Sequence, residues 1–488
     1  MSRLQLVAVL KRALQGVFVL VVAGCATVDP YALPPMVQNL QRDDAVGYCA
    51  RLFADIDRRI ESLHVRDAEA HRIAGFPYLR VDRVSAALAA RAIGSEQTQA
   101  WRARLRELDE SARATELANA TLSIDDLPRC RSLLESADTD AAAIASLRAA
   151  AKVPDDYSIG LRVLGVYPLA RLPFAAGIAR WQADTRAAFT TPLDALPVRG
   201  QLLRYGPAQS LELPPTTLSV DVLGVPIISA AQAAALFARH APVLHIDAAG
   251  EFDRIGGLKL DAEDQVFVDA AAVVVYTRLT YALIGGLIHP QLVYTFWFGE
   301  RPRAAGGTFD LLAGKLDGVV WRVTINAAGD ALVYDSMHAC GCYHLFFPTE
   351  KVVTRSLPAT LDETLFVPQT VRGVGRGEKV VLGIESGTHY LQRVLVGTIS
   401  EDGQPPAIAY ALQDERKLTT MPRRAGGTRS AYGEDGMIAG TERAERWFFW
   451  PMGIKSAGQM RQWGHHATAF VGRRHFDDPL LFDAYFDL

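Results

Sequence analysis

Residues 271–298 read AAVVVYTRLTYALIGGLIHPQLVYTFWF, an apolar stretch whose interpretation decides the fold. A membrane-crossing helix needs about 20 consecutive, predominantly apolar residues. Here Arg278, His289 and Pro290 interrupt the run, and it breaks at Gly285-Gly286. Val, Ile, Thr and aromatic residues dominate, the types that suit a pleated, buried surface. The stretch predicts two buried strands. Similar segments recur on both sides: QVFVD, GVVWRVTI, ALVYDS, TLFVPQ, KVVLGI, HYLQRVLVGTI and AIAYAL, separated by Gly, Pro, Asp and Asn. No helix-length pattern alternates with them, which argues against a doubly wound parallel sheet. One helix, AAQAAALFARHA, leads in. Residues 229–488 are therefore expected to form a mostly antiparallel β-rich domain, sandwich- or barrel-like.

Upstream the period changes. Val46, Cys49, Leu52, Phe53, Ile56, Ile60 and Leu63 recur at helical spacing, with Asp43 or Asp44 available as N-cap. Further helices are predicted after Asp82, from Ser95 toward Leu117, around Arg129–Ser136 and over Ala141–Ala151. The fold class is α+β, with a helical domain over 41–155 and a connector over 156–228. Within that connector, YSIGLRVLGVYPLARLPFAAGIARWQADTRAAF (157–189) predicts a helix pair that docks the two domains; the alternative is an amphipathic segment resting on a membrane.

The first 24 residues carry Arg3, Lys11 and Arg12, then an apolar run over Ala13–Ala23 that is too short to span a bilayer. The run ends in Val22-Ala23-Gly24-Cys25, which resembles the bacterial lipobox. That resemblance implies a lipoprotein signal peptide over 1–24 and acylation (palmitate among the chains) of Cys25, which would anchor the protein in the lipid bilayer by a tether over 25–40. Ala26 stands where the Asp retention signal of inner-membrane lipoproteins would be. The implied location is the outer membrane of a Gram-negative cell, on the periplasmic face. Cleavage removes three positive charges and no acids, taking the formal net charge from −3 to −6. Such a balance offers no basic footprint for nucleic acid. The expected partners are a cell-envelope substrate or protein.

With Cys25 acylated, four cysteines remain in an oxidising compartment. The domain-local pairing joins Cys49 to Cys130, which would close a long loop and stabilise the fold by up to roughly 4 kcal/mol through chain entropy. It leaves Cys340 with Cys342, inside the palindrome His338-Ala-Cys340-Gly-Cys342-Tyr-His344. These four side chains are a zinc-type ligand set in composition. A straight strand would spread six residues over about 20 Å, too far for one ion, so convergence requires a bend at Gly341. A Cys340–Cys342 disulfide and a core turn with buried thiols compete with a divalent metal such as zinc.

Asp317, at a turn before a strand, and His389, between a glycine and a strand, are candidate catalytic groups that would orient or deprotonate a metal-bound water. Glu300, Arg301, His465, His466 and His475 are further candidates. Asp247, Glu251 and Asp253 could supply oxygen ligands but lack EF-hand spacing. GxSxG, HExxH, P-loop and GxGxxG signatures are absent. The order DGVVWRVTI, YDSMH, SGTHY resembles the β-sandwich of necrosis-inducing-like proteins, whose metal-binding heptapeptide GHRHDWE is missing here, so no site residue transfers. The expectation is a metal-dependent hydrolytic envelope lipoprotein. The alternatives are a non-catalytic binding or assembly lipoprotein with structural cysteines, and thiol–disulfide exchange at Cys340/Cys342.

Overall fold

The computed structural model describes residues 29–208, 217–304, 310–358, 360–375, 377–398 and 407–488. The expected signal peptide over 1–24, the lipobox-like Val22–Cys25 stretch and the start of the expected tether lie outside the described residues. The chain is α+β: an N-terminal helical region leads to a large mixed sheet curled into a half-barrel.

The helical region opens with α1 (Met36–Leu40) and α2 (Ala45–Leu63). Asp44 caps α2, its carboxylate accepting from the Val46 and Gly47 N–H groups. The predicted stripe turns Cys49, Phe53, Ile56 and Ile60 inward. Strands β1 (His71–Ile73) and β2 (Phe76–Val81) follow, then α3 (Arg83–Leu88), α4 (Ser95–Ala120), α5 (Leu127–Ala137) and α6 (Ala141–Ala150). Cys49 of α2 is disulfide-bonded to Cys130 of α5. Two features depart from expectation. The segment after Cys25, expected to be a short stiff tether over 25–40, is packed against the helices from Tyr31 onward: Met36 is fully buried and Tyr31 Oη donates to Asp57. The hairpin β1–β2 was not expected, because its buried strand FPYLRV contains a proline and an arginine that mask the apolar pattern.

Helices α7 (Ile159–Leu164) and α8 (Tyr167–Thr190) form the predicted pair, yet α8 buries only Phe189 completely. Next comes β3 (Gln201–Pro207), a sheet strand inside the expected connector, and then α9 (Ala230–His240). The remaining strands are β4 (Val243–Ala248), β5 (Ile255–Leu260), β6 (Val266–Asp269), β7 (Val274–Ile284), β8 (Leu287–Arg301), β9 (Gly314–Ile325), β10 (Ala331–His338), β11 (Leu345–Pro348), β12 (Val353–Thr354), β13 (Glu378–Ile384), β14 (Leu391–Thr398) and β15 (Ile408–Asp414). The segment TLFVPQ is irregular, although Phe366 is buried in the core.

The opening apolar run is the hairpin β7–β8, in register from Tyr276↔Thr295 to Ile284↔Leu287. Its two-residue turn holds Gly285 and Gly286 at φ 59° and 74°. Positive φ at both central residues matches the right-handed twist of the strands, and glycine adopts it without steric cost. The principal sheet runs β11-β10-β9-β8-β7-β15-β3-β4-β13-β14, with β5 pairing β8 and β6. Its pairings are antiparallel except β15–β7, β15–β3 and β13–β4. Curling brings residues from nearly all these strands into one inner core around Trp321, Tyr294, Tyr334, Leu382 and Tyr410, and α8 closes part of it through Trp181 and Phe189.

Candidate functional site

Neighbouring strands place three side chains together at one end of the inner face. Phe298 of β8 is in register with Asp317 of β9, and Val319 with His338 of β10. Alternate residues of a strand share a face, so Phe298, Asp317 and His338 all point inward. The loop joining β13 to β14 crosses this end and delivers His389, whose backbone has φ 54°. The His389 ring stacks on Phe298 at 3.9 Å. Its Nδ1 bonds Asp317 Oδ2 at 2.9 Å, and its Nε2 lies 3.3 Å from Asp253 Oδ1. Asp253 accepts from Ser386 Oγ (2.8 Å) and the Gly387 N–H (2.7 Å). Asp317 also accepts from Arg443 Nη2 at 3.2 Å, with His338 Nδ1 at 3.4 Å.

The two groups expected to be catalytic, Asp317 and His389, are thus in contact, but both are fully buried. Burial alone would raise the Asp317 carboxyl; Arg443 and His338 outweigh it and hold that carboxyl well below the usual range. Burial opposes the His389 charge, but hydrogen bonds to Asp253 and Asp317 raise its pKa. The arrangement is a charged clasp, Asp253–His389–Asp317, that fastens the β13–β14 loop to β9. A raised pKa means that stabilisation is complete below the unfolded histidine value and fades as pH rises through the folded one. His389→Gln is therefore expected to cost about 2 kcal/mol near pH 6, on the scale of a hydrogen bond to a charged group, and progressively less at higher pH. Urea unfolding of both proteins across pH 6–9 measures this.

The palindrome does bend at Gly341. The Gly341 N–H donates to His338 O (2.7 Å), and the His338 N–H donates to Cys342 O (2.9 Å). Gly341 sits at φ 93°, and a Cβ there would lie 2.7 Å from Ala467 O, so only glycine fits. The bend does not make a ligand quartet. Asp335 and His338 are three apart on β10 and so face opposite sides of the sheet. His344 bonds Asp335 Oδ2 at 2.8 Å on the outer side, where Asp335 also pairs with Arg322. His338 points inward to Asp317. Strand parity divides His338 from His344, which corrects the expected set of His338, Cys340, Cys342 and His344 as ligands of one ion. Among the described residues no group of three or more His, Cys, Asp or Glu side chains is arranged to hold a metal.

The other candidates have structural partners. His465 and His475 approach Asp156 at 3.2 and 3.4 Å, tying the C-terminal segment to the chain after α6. His466 meets Ala339 O. Asp247 accepts from the N–H groups of Arg199 and Gly200, Glu251 pairs with Arg254, and Glu300 is exposed.

Cys340 and Cys342 remain together as free thiols. They form part of the floor of a cleft of about 1260 Å³. Its walls include Phe174, Ile178 and Trp181 of α8 and Phe448 and Phe449 of α10 (Arg446–Phe449). Arg301 and Glu445 also line it. The Arg301 guanidinium donates to Thr388 O and Tyr390 Oη, both at 3.2 Å, and lies over the Tyr390 ring. Although it is only 6% exposed, these are neutral partners. Burial pushes the Glu445 carboxyl up to about 7, against the pull of Arg443 and Arg301. The Cys340 thiol is lowered by a hydrogen bond with Cys342, whose own pKa is raised by the same contact. Arg301 was visible in the sequence as a strand-end residue; Arg443 and Glu445, in TERAERWFF, carry no local signal.

Comparison with protein families, curated proteins and solved structures found no match for this chain.

Proposed function

We propose that this protein is an envelope lipoprotein that binds an amphipathic molecule, an apolar chain bearing an anionic group, in the cleft beside a bilayer surface. The observation that carries this reading is a large, predominantly apolar cleft with a buried guanidinium, Arg301, on its lining. Ligand sites combine apolar walls with a few placed polar groups in this way. Among the described residues the Arg301 guanidinium hydrogen-bonds to neutral groups, with Asp317 and Glu445 acting on it through space. Such a cation is electrostatically suited to a carboxylate or phosphate.

The surroundings support a lipid surface. Val163, Leu169, Leu172 and Trp447 are each at least half exposed, on the helices that carry the cleft wall or directly precede it. Exposed apolar surface of this extent is characteristic of interaction sites. The span 159–190 holds Arg162, Arg171, Arg180 and Arg186 against a single acid, Asp184, in a chain whose formal net charge is −3. Arginine and tryptophan beside an apolar face suit an anionic lipid interface. No helix among the described residues is long and apolar enough to cross a membrane. Acylation at Cys25 would hold the protein at the same surface.

Gly177 lines the cleft, and a Cβ added there meets nothing within 4 Å. Gly177→Trp is expected to fill the cleft and weaken binding of a fluorescent long-chain fatty acid at least tenfold. Thermal stability should hold or rise, because glycine in a helix interior costs about 1 kcal/mol. Unchanged affinity would refute the reading. In the Cys25→Ser chain, which cannot be acylated, binding to anionic vesicles should exceed binding to neutral ones and weaken with salt. Leu169→Glu with Trp447→Glu should abolish it in a sedimentation assay.

A further inference from the structure

We infer that Cys340 and Cys342 are a redox-active dithiol on the floor of the cleft, exchanging with disulfides of small or extended thiol compounds that enter by its mouth. The inference is independent of the amphipathic-ligand reading, because it stands on the thiols and not on the apolar walls. Both thiols are free and only 4% and 7% exposed, yet both line the cleft. The turn fixed by Gly341 puts two free cysteines, separated by one residue, on the same stretch of the cleft lining. The other cysteine pair, Cys49–Cys130, is closed and lies in the helical region, so Cys340 has one intramolecular partner among the described residues. Arg443 and Glu445 are close enough for their charges to act on both sulfurs.

The exchange balances as follows. The Cys340 thiolate attacks one sulfur of a disulfide R–S–S–R′, forming a Cys340–S–S–R mixed disulfide and releasing R′S⁻. Cys342 passes its proton to the released R′S⁻, giving R′SH, and attacks the Cys340 sulfur. That step forms the Cys340–Cys342 disulfide and releases RS⁻. Two electrons pass from the protein to the substrate, and a dithiol running the same steps in reverse restores the reduced pair. The ring closed by two cysteines one residue apart is small, and strained disulfides have higher, more oxidising potentials. Cys340 is taken as the attacking thiol and Cys342 as the resolving one, an order that the single-serine variants test.

The full chain is equilibrated in glutathione buffers of graded oxidised-to-reduced ratio, alkylated, and mapped by peptide mass spectrometry. The expected result is a two-electron transition between free thiols and one Cys340–Cys342 disulfide, with Cys49–Cys130 intact throughout. Cys340→Ser should lose the transition completely, and Cys342→Ser should accumulate one glutathione adduct at Cys340. The inference is overturned if wild-type Cys340 and Cys342 stay unlinked at every ratio, or if a folded Cys342→Ser chain gives no adduct. The wild-type titration alone decides the matter should either variant misfold. A normal redox transition in a chain that binds no fatty acid would separate this inference from the proposed ligand.

Discussion

Asp109→Ala is expected to destabilise the helical region by about 3–5 kcal/mol, the usual cost of removing one partner from a buried ionic group. Asp109 of α4 is fully buried. It accepts from Arg80 Nε at 3.3 Å, Arg113 Nε at 3.0 Å and Arg131 Nη2 at 2.5 Å. Arg80 continues to Glu116 through two 2.7 Å bonds, and Arg113 to Asp57 at 2.7 Å. These charges lie where β2 passes between the helices, and every member is at most 6% exposed at its side chain. Deleting the Asp109 carboxylate leaves Arg80, Arg113 and Arg131 with the carboxylates of Glu116 and Asp57, the latter already shared with Arg72, in a buried region. Arg131→Met, at the edge of the cluster, should cost less. Urea titration by circular dichroism, at unchanged m-value, measures both effects. A loss below about 1 kcal/mol for Asp109→Ala would show that the lattice does not hold the region together.

The second large effect is acid lability. Burial depresses seven histidines, four of them strongly: His71 to about 3, His240 to about 4, His344 to about 3 and His466 to about 3. Each is neutral when folded and takes up a proton on unfolding once pH falls below the unfolded value near 6.5. The unfolded state then binds more protons than the native state, so stability rises with pH across this window and falls on acidification. A full unit of depression is worth about 1.4 kcal/mol. Any two of the four are then comparable with a domain's whole stability of about 5–15 kcal/mol. His389 and His465 act with the opposite sign, because carboxylates raise them, and they are fewer. Stability present at pH 7 should therefore drain away steadily between pH 6.5 and about 4. His466→Asn should flatten the slope. A denaturant midpoint that is level or rising from pH 7 to pH 5 would contradict this account.

Much of the β-rich half was legible locally. The β7–β8 hairpin announced itself through β-branched and aromatic residues around Gly285-Gly286, and α2 through its apolar stripe behind Asp44. The hairpin β1–β2 was not legible, because Arg80 lies at a buried strand position that only a carboxylate cluster from α4 makes tolerable. β3 was hidden in the connector because its pairings, to β4 and to β15, lie about 40 and 200 residues away in the chain. The site divides in the same way. Asp317 and His389 stood out as individual residues, and they meet across 72 positions. What could not be seen is that the β13–β14 loop covers them, so that they meet each other as a buried clasp.

The sequence by itself determined the α+β class, most helices, the Asp44 cap of α2, the bend at Gly341 and the pairing of Cys49 with Cys130. All but the disulfide follow from period, backbone preference or spacing within a few residues. Only the tertiary structure decided which side of the sheet received His338 and which received His344, what fills the space between α8 and the strands, and that Arg301 and Glu445 line one cleft with the cysteines. Local patterns state which side chains must leave water. They do not state against whom, because the curl of the sheet and the register of distant strands choose the partners. The palindrome that looked like a metal quartet was parted by strand parity, and its two central thiols were left facing the cleft.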